Sequence, residues 1–330
     1  MRSGPIVAEA VWHGRAMLGE GPLWHPELGA VLFCDIKGGR LRAWFPGTGR
    51  TVEWPAPDGL CWLVPRRDGD GFVAGLRRKV VHLRLDPAAG PAAVATLAAP
   101  EADRPGHRLN DGKADPQGRV WFGSMDDAEV ERTGRLYRLD PDGTVTVADD
   151  GYGVPNGPAF LADGTTMFHA DSARRVVYAY GIGVAAKVLS RREHLRFGPS
   201  DGYPDGMASD EDGGLWVAHW EGGRVTRFDA QGMPEREIRL PASRVTSVAF
   251  FGAALDRLAI TTAAIGRDGE AAAGSLFVAD PGKRGLPTHA YGTTRHGDDQ
   301  SRSMPVGPLS PHIRQRTRPG RDHHEEEPGR

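Results

Sequence analysis

Cysteine is scarce: Cys34 and Cys61 are the two thiols in 330 residues. Two cannot staple a chain of this size, which excludes a disulfide-built secreted scaffold and leaves two reduced thiols in a cytoplasmic protein as the expectation. Long apolar runs are missing as well. No stretch approaches the roughly 20 apolar residues that a membrane helix needs. The opening MRSGPIVAEAVWHG has no apolar core of about 7–15 residues, so no secretory signal is expected either. Nor is charge of one sign in surplus. Lys and Arg number 41 against 43 Asp and Glu, a formal net charge of -2, and no basic stripe stands out. That excludes a strongly basic nucleic-acid surface. There is no Ser/His/Asp arrangement in a G-x-S-x-G frame and no phosphate-binding Gly-Lys loop, so serine-hydrolase and nucleotide-dependent chemistry have no support.

Glycine, with 45 residues, and proline, with 26, are plentiful, and no sustained apolar pattern at helical spacing lies between them. Many turns around short apolar runs indicate an all-β fold. One unit recurs: a turn carrying Gly and usually Asp, then four to six residues rich in Val, Leu, Phe and Trp, ending on a small or acidic residue. It stands at 27–35 (ELGAVLFCD), 68–75 (DGDGFVAG), 115–123 (DPQGRVWFG), 162–171 (ADGTTMFHAD), 210–218 (DEDGGLWVA) and, more loosely, 253–263 (AALDRLAITTA). Segments between the units, such as GRLRAWFPG and GRVTRFDAQG, alternate apolar and polar residues as half-buried strands do.

Six repeats of about 45 residues, each with room for four short strands, predict an all-β fold, a six-bladed β-propeller, over residues 1–287; the central metal site expected of it rests on the residues below. A pair of β-sandwich domains is the runner-up, but no linker divides the chain. From 288 to 330 aliphatic residues almost vanish, while charge, Gly, Pro and Ser dominate. That segment reads as a disordered tail, and its DHHEEE as a solvated charged end rather than a metal site.

In a propeller, loops from successive blades converge on one channel mouth, so a site is expected as scattered polar loop residues. Four segments fit. LGEGPLW places Glu20 between glycines, HRLNDGKAD crowds Arg108, Asn110 and Asp111 before the third repeat, GVPNGPAF holds Asn156, and GYPDGMASD holds Asp205. Each motif alone is ordinary turn chemistry. The recurrence is more telling: two Pro-Asx-Gly turns stand 49 residues apart, near the repeat spacing, so Asn156 and Asp205 are expected to face one central point. With Glu20 they make an all-oxygen set suited to a hard divalent ion such as Ca²⁺, Mg²⁺ or Mn²⁺, leaving positions open for water.

Together, GEGPLW (19–24), RLNDGKADPQGRVWFGSM (108–125), PNG (155–157), YPDGMASDEDGGLWVAHWEGGRVTRFD (203–229) and AGSLFVAD (273–280) resemble the gluconolactonase/regucalcin family, from about Gly19 to Pro287. The resemblance implies a six-bladed propeller that hydrolyses sugar lactones with one divalent metal (Ca, Mg, Mn or Zn). It implies Glu20, Asn156 and Asp205 as metal ligands, and Arg108 and Asn110 as contacts to substrate hydroxyls. Several members also use an acid after the G-T/S-M stretch; here Asp126, Asp127 and Glu129 are available, although the register puts Ala128 there. On that basis the expected reaction opens a sugar lactone to the aldonic acid by metal-activated water, with Asp205 as general base. Rival readings are a non-catalytic calcium-binding regulatory propeller and a metal-dependent esterase on non-sugar esters. The expected partner is a small-molecule sugar lactone, with no nucleic acid and no membrane, in a monomer or small homo-oligomer. His219, Asp171 and His107 are expected to pack, cap or flank rather than react, and most of Trp24, Trp62, Trp121, Trp216 and Trp220 to fill blade cores.

Overall fold

The computed structural model describes residues 6–293. Their strands form six antiparallel sheets, which are the six blades of a β-propeller. Counted along the chain, the innermost strands of blades I to VI are Gly19–His25, Leu60–Pro65, His107–Ala114, Pro155–Phe160, Tyr203–Ser209 and Val245–Phe251. Each inner strand packs against the next, and the sixth against the first, so the ring is closed around a channel.

The repeated apolar unit of the sequence is the second strand of every blade: Ala30–Asp35, Phe72–Leu76, Val120–Asp126, Thr166–Asp171, Leu215–Trp220 and Arg257–Thr262. Its turn chemistry has a physical cause where it is strongest. Asp115 accepts the backbone N–H groups of Gln117 and Arg119 at 3.0 Å each and the indole N–H of Trp121 at 2.8 Å. Asp210 repeats this with Asp212, Gly214 and Trp216, at 3.1, 2.8 and 2.8 Å. The Asp of the motif thus closes the turn and anchors the Trp of the following strand. Glycine closes the same turns because φ is +83° at Gly118 and +77° at Gly213, a region that side chains with a Cβ avoid.

The core lies between blades rather than within them. Apolar faces of neighbouring sheets interlock: Leu32, Leu63 and Phe122 belong to one cluster across blades I to III, Phe168 and Met207 join IV to V, Trp216 and Ile260 join V to VI, and Phe33 and Leu276 join VI to I. The sixth blade takes its fourth strand from the other end of the chain: Glu9–Trp12 pairs antiparallel with Leu276–Ala279. The looseness of the sixth repeat follows, since its local sequence supplies three strands instead of four. A further short strand, Ile6–Val7, runs parallel along the outer edge of blade V.

Described chain continues past Pro287, the boundary set by composition. Tyr291 N–H donates to Pro65 O at 2.8 Å, Arg67 N–H donates to Tyr291 O at 2.9 Å, and the Tyr291 hydroxyl donates to Asp140 O at 3.0 Å. The rest of the expected tail, from 294 onward, lies outside the described residues.

Candidate functional site

All six inner strands break register with the second strand of their blade at the same level: after Glu20, Leu60, Leu109, Asn156, Pro204 and Val245. A bulge leaves residues unpaired and turns side chains off the sheet. The Gly-flanked motifs of the sequence sit at these breaks. They bring Glu20, Asn110, Asp111, Asn156 and Asp205 to one level of the channel, each buried, at 8, 9, 4, 4 and 6% relative exposure.

Side chains from neighbouring blades tie this ring together. Asn110 Nδ2 donates to Asn156 Oδ1 and to Pro155 O, both at 2.7 Å. Asp111 Oδ2 accepts Gly157 N–H at 3.0 Å, and its Oδ1 accepts Gly112 N–H at 2.7 Å. Ser172 Oγ links Asn156 to the turn of Asp205 by accepting from Asn156 Nδ2 at 2.9 Å and donating to Pro204 O. Lys113 Nζ crosses from blade III to donate to Met207 O in blade V. Thr246 Oγ1 donates to Gly19 O at 2.6 Å, holding the strand of Glu20 from blade VI.

Electrostatics at this level are unusual. Burial, with the charge of Asp111 next, pushes the Glu20 carboxyl up to about 8. Burial and then Glu20 and Asp111 hold Asp205 well above the usual carboxylate range. Burial also raises Asp111, and lowers the Lys113 amine. Carboxylates crowded in a buried ring favour protonation unless a cation joins them. The donor set (two carboxylates, Glu20 and Asp205, and an amide oxygen, Asn156) fits a hard divalent ion.

Beside the ring, Arg108 Nη1 donates to Asn110 Oδ1 at 2.6 Å, and Arg108 Nε to Asp127 Oδ1 at 2.7 Å. Lys37, from blade I, reaches the same Asp127 oxygen at 2.9 Å. Of the three acids after the S-M stretch, Asp127 is therefore the one that joins Arg108. Asp126 instead caps its own loop, accepting N–H groups of Ala128, Val130 and Glu131 at 3.3, 3.1 and 3.0 Å. Glu129 has φ +59° in this loop, and its charge is felt at Asp205.

The discounted residues have structural partners. His219 lies against Phe197, ring centroids 4.5 Å apart, and burial pushes its imidazole down to about 4. Asp171 accepts the N–H groups of Gly153 and Val154 at 3.3 Å, holding the loop that leads to Asn156. His107 contacts the buried Glu101 at 3.4 Å and Thr133 at 3.0 Å. Trp121 and Trp216 are core; Trp62 also borders a channel cavity of about 120 Å³ towards the other ends of the inner strands, with Lys113, Ser209, Phe250 and His289. Trp24 is half-buried, and Arg244 lies 4.7 Å over the Trp220 ring. Lys113, Ser172 and Thr246 escaped the sequence reading. Their role is contact with other blades, and no local motif encodes that.

A closed six-bladed β-propeller with a buried oxygen-rich ring in its channel is the class defined by these observations. The chain belongs to the SMP-30/gluconolactonase/LRE-like family, whose description matches residues 18–264. It is 38% identical over 280 residues to the pentonolactonase XacC of Haloferax volcanii, covering 82% of this chain and 93% of that one. Regucalcin of Xenopus laevis is 34% identical over 272 residues, covering 80% and 89%. The solved structure of a luciferin-regenerating enzyme superposes with a TM-score of 0.81 at 30% identity, covering 88% of this chain and all of that one.

Proposed function

We propose that the protein hydrolyses a sugar lactone to the aldonic acid, using one divalent ion held by Glu20, Asn156 and Asp205. The observation that carries this reading is the ring itself. Glu20, Asn156 and Asp205 each stand at the register break of an inner strand, and Arg108 is tied to Asn156 through Asn110, which supports a polar ligand at this level. The name of the Haloferax relative, a pentonolactonase, supports a lactone as substrate.

When bound, the ion supplies Lewis acidity at the lactone carbonyl and lowers the pKa of water. Arg108 has Nε and Nη1 engaged with Asp127, Leu109 O and Asn110, which fixes the guanidinium plane and leaves Nη2 free, among the described residues, to hold a substrate hydroxyl. Asn110 orients Arg108 through its Oδ1 and Asn156 through its Nδ2, coupling the two halves of the site. This positioning gives orientation rather than bond chemistry. Asp205 takes the proton of the attacking water at a carboxylate oxygen. The water oxygen bonds to the carbonyl carbon, the ring C–O bond breaks, and a proton ends on the released hydroxyl.

The test is lactone opening by chelator-stripped protein, followed by proton release, with glucono-, galactono-, xylono- and arabinonolactones and Ca²⁺, Mg²⁺, Mn²⁺ or Zn²⁺ restored singly. Metal-dependent turnover well above spontaneous opening is expected. Binding of metal with no acceleration of any lactone would overturn the sugar-lactonase reading and favour a binding protein or an esterase.

A further inference from the structure

The segment Asp111–Gly112–Lys113 of blade III touches both ligand-bearing turns of its neighbours. Asp111 Oδ2 accepts the N–H of Gly157, the residue after Asn156, at 3.0 Å. Lys113 Nζ donates to the carbonyl of Met207, two residues after Asp205. Gly112 lies between them, where a Cβ would come within 2.8 Å of the Trp62 indole and 2.9 Å of the Phe122 side chain. The absence of a side chain at Gly112 lets the segment sit this deep, with Asp111 on one side and Lys113 on the other.

The two side chains also complete a charge count. Glu20, Asp111 and Asp205 are three buried acids whose charges act on one another, and Lys113 is the amine whose charge acts on Glu20 and Asp111. Arg108 and Lys37 share Asp127, at 2.7 and 2.9 Å, and the charge of Glu129 also reaches Asp205, so these two cations and two acids cancel. One amine against three carboxylates leaves two negative charges, the complement of a single dication.

We propose that Asp111 and Lys113 are a positioning pair that braces the turns of Asn156 and Asp205 and sets the net charge of the ring to select a divalent over a trivalent ion. This rests on the reading that Glu20, Asn156 and Asp205 hold a metal. Each strut ends on the backbone within two residues of a proposed ligand, so the pair acts through the ligands rather than on the substrate. A buried neighbour of unlike or like charge changes the affinity of an ion by its full coulombic interaction, which low-dielectric surroundings enlarge.

The experiment uses full-length protein stripped with chelator: wild type, Lys113→Met, Asp111→Asn, the double variant and Glu20→Gln. Each is titrated with Ca²⁺ and Tb³⁺ by calorimetry and by terbium luminescence, with thermal unfolding as the check on folding. Lys113→Met is expected to raise the Tb³⁺/Ca²⁺ affinity ratio by about tenfold or more, Asp111→Asn to lower it as much, and the double variant to return it towards wild type. A bracing role without charge selection would weaken both ions equally. An unchanged ratio in the folded single variants, with one Glu20-dependent site in wild type, overturns the inference while sparing the metal reading. No Glu20-dependent binding in wild type removes both. If Lys113→Met does not fold, the near-isosteric Asp111→Asn alone decides the outcome.

Discussion

Asn156 donates through Nδ2 to the Oγ of Ser172 at 2.9 Å, and that hydroxyl gives its own proton to Pro204 O. Because a hydroxyl has one proton, Ser172 must accept from Asn156, which fixes the amide with its oxygen towards Asn110 Nδ2. The same serine holds the backbone before Asp205, so one side chain orients an amide oxygen in blade IV and a carboxylate turn in blade V.

Ser172→Ala should therefore free the Asn156 amide without touching any proposed ligand. Outer partners of metal ligands are commonly worth about 10–100-fold in affinity. Calcium affinity measured by calorimetry should fall within that range, with the fold retained. Unchanged affinity would mean that Asn156 is oriented by Asn110 alone.

Asp205→Ala should abolish lactone turnover, and Glu20→Gln should remove metal binding. Steady-state kinetics of the folded variants with saturating metal check this. Substantial activity of metal-loaded Asp205→Ala would refute its role as base.

Arg108 and Asp127 should separate binding from chemistry. Arg108→Met removes a charged donor, and charge-assisted hydrogen bonds are worth about 1.5–3 kcal/mol, so kcat/KM should fall by about 10–100-fold, mostly through KM. Asp127→Asn should give a smaller loss, because it loosens the guanidinium plane and spares its donors. A loss in kcat alone would place Arg108 in the chemical step.

Metal-free protein should become less stable as pH rises above about 7. Glu20 is held at about 8 by burial and by Asp111, against an ordinary 4.5, so the folded state binds more protons than the unfolded state between those values. The stabilisation is complete below about pH 4.5 and is lost as pH rises through about 8; Asp205, also raised, acts in the same direction. Arg108 and Lys113 temper the loss without reversing it. Below about pH 6.5 the buried His169 and His219, both pushed down to about 4, act in the opposite direction, so the test window is about pH 7 to 9: thermal unfolding in chelator should show a falling midpoint there, and added Ca²⁺ should flatten the fall. A rising midpoint in chelator would contradict a buried, cation-seeking ring.

Much of this architecture was legible because it repeats. Asp115 and Asp210 perform one task in two blades, so the local motif, its glycine and its tryptophan recur in the sequence at blade spacing. The placing of Asn156 and Asp205 at equivalent register breaks was legible for the same reason, in two Pro-Asx-Gly turns, and that of Glu20 through its flanking glycines, because the break needs small, turn-forming neighbours. Ser172, Lys113 and Thr246 were not legible. Their partners lie in other blades, 32, 94 and 227 residues away, at separations no periodicity links. The strand Glu9–Trp12 was hidden for a related reason, since it completes a blade whose other strands begin at Val245.

The pairing of Glu9–Trp12 with Leu276–Ala279 also governs the order of assembly. During synthesis the first of these strands leaves the ribosome long before its partner exists, so the circle stays an open arc until Leu276–Ala279 has emerged. Contacts of such long sequence separation form late. The channel, which needs every blade in place, is completed by that last closure, and the level that holds Glu20, Asn156 and Asp205 is assembled only then.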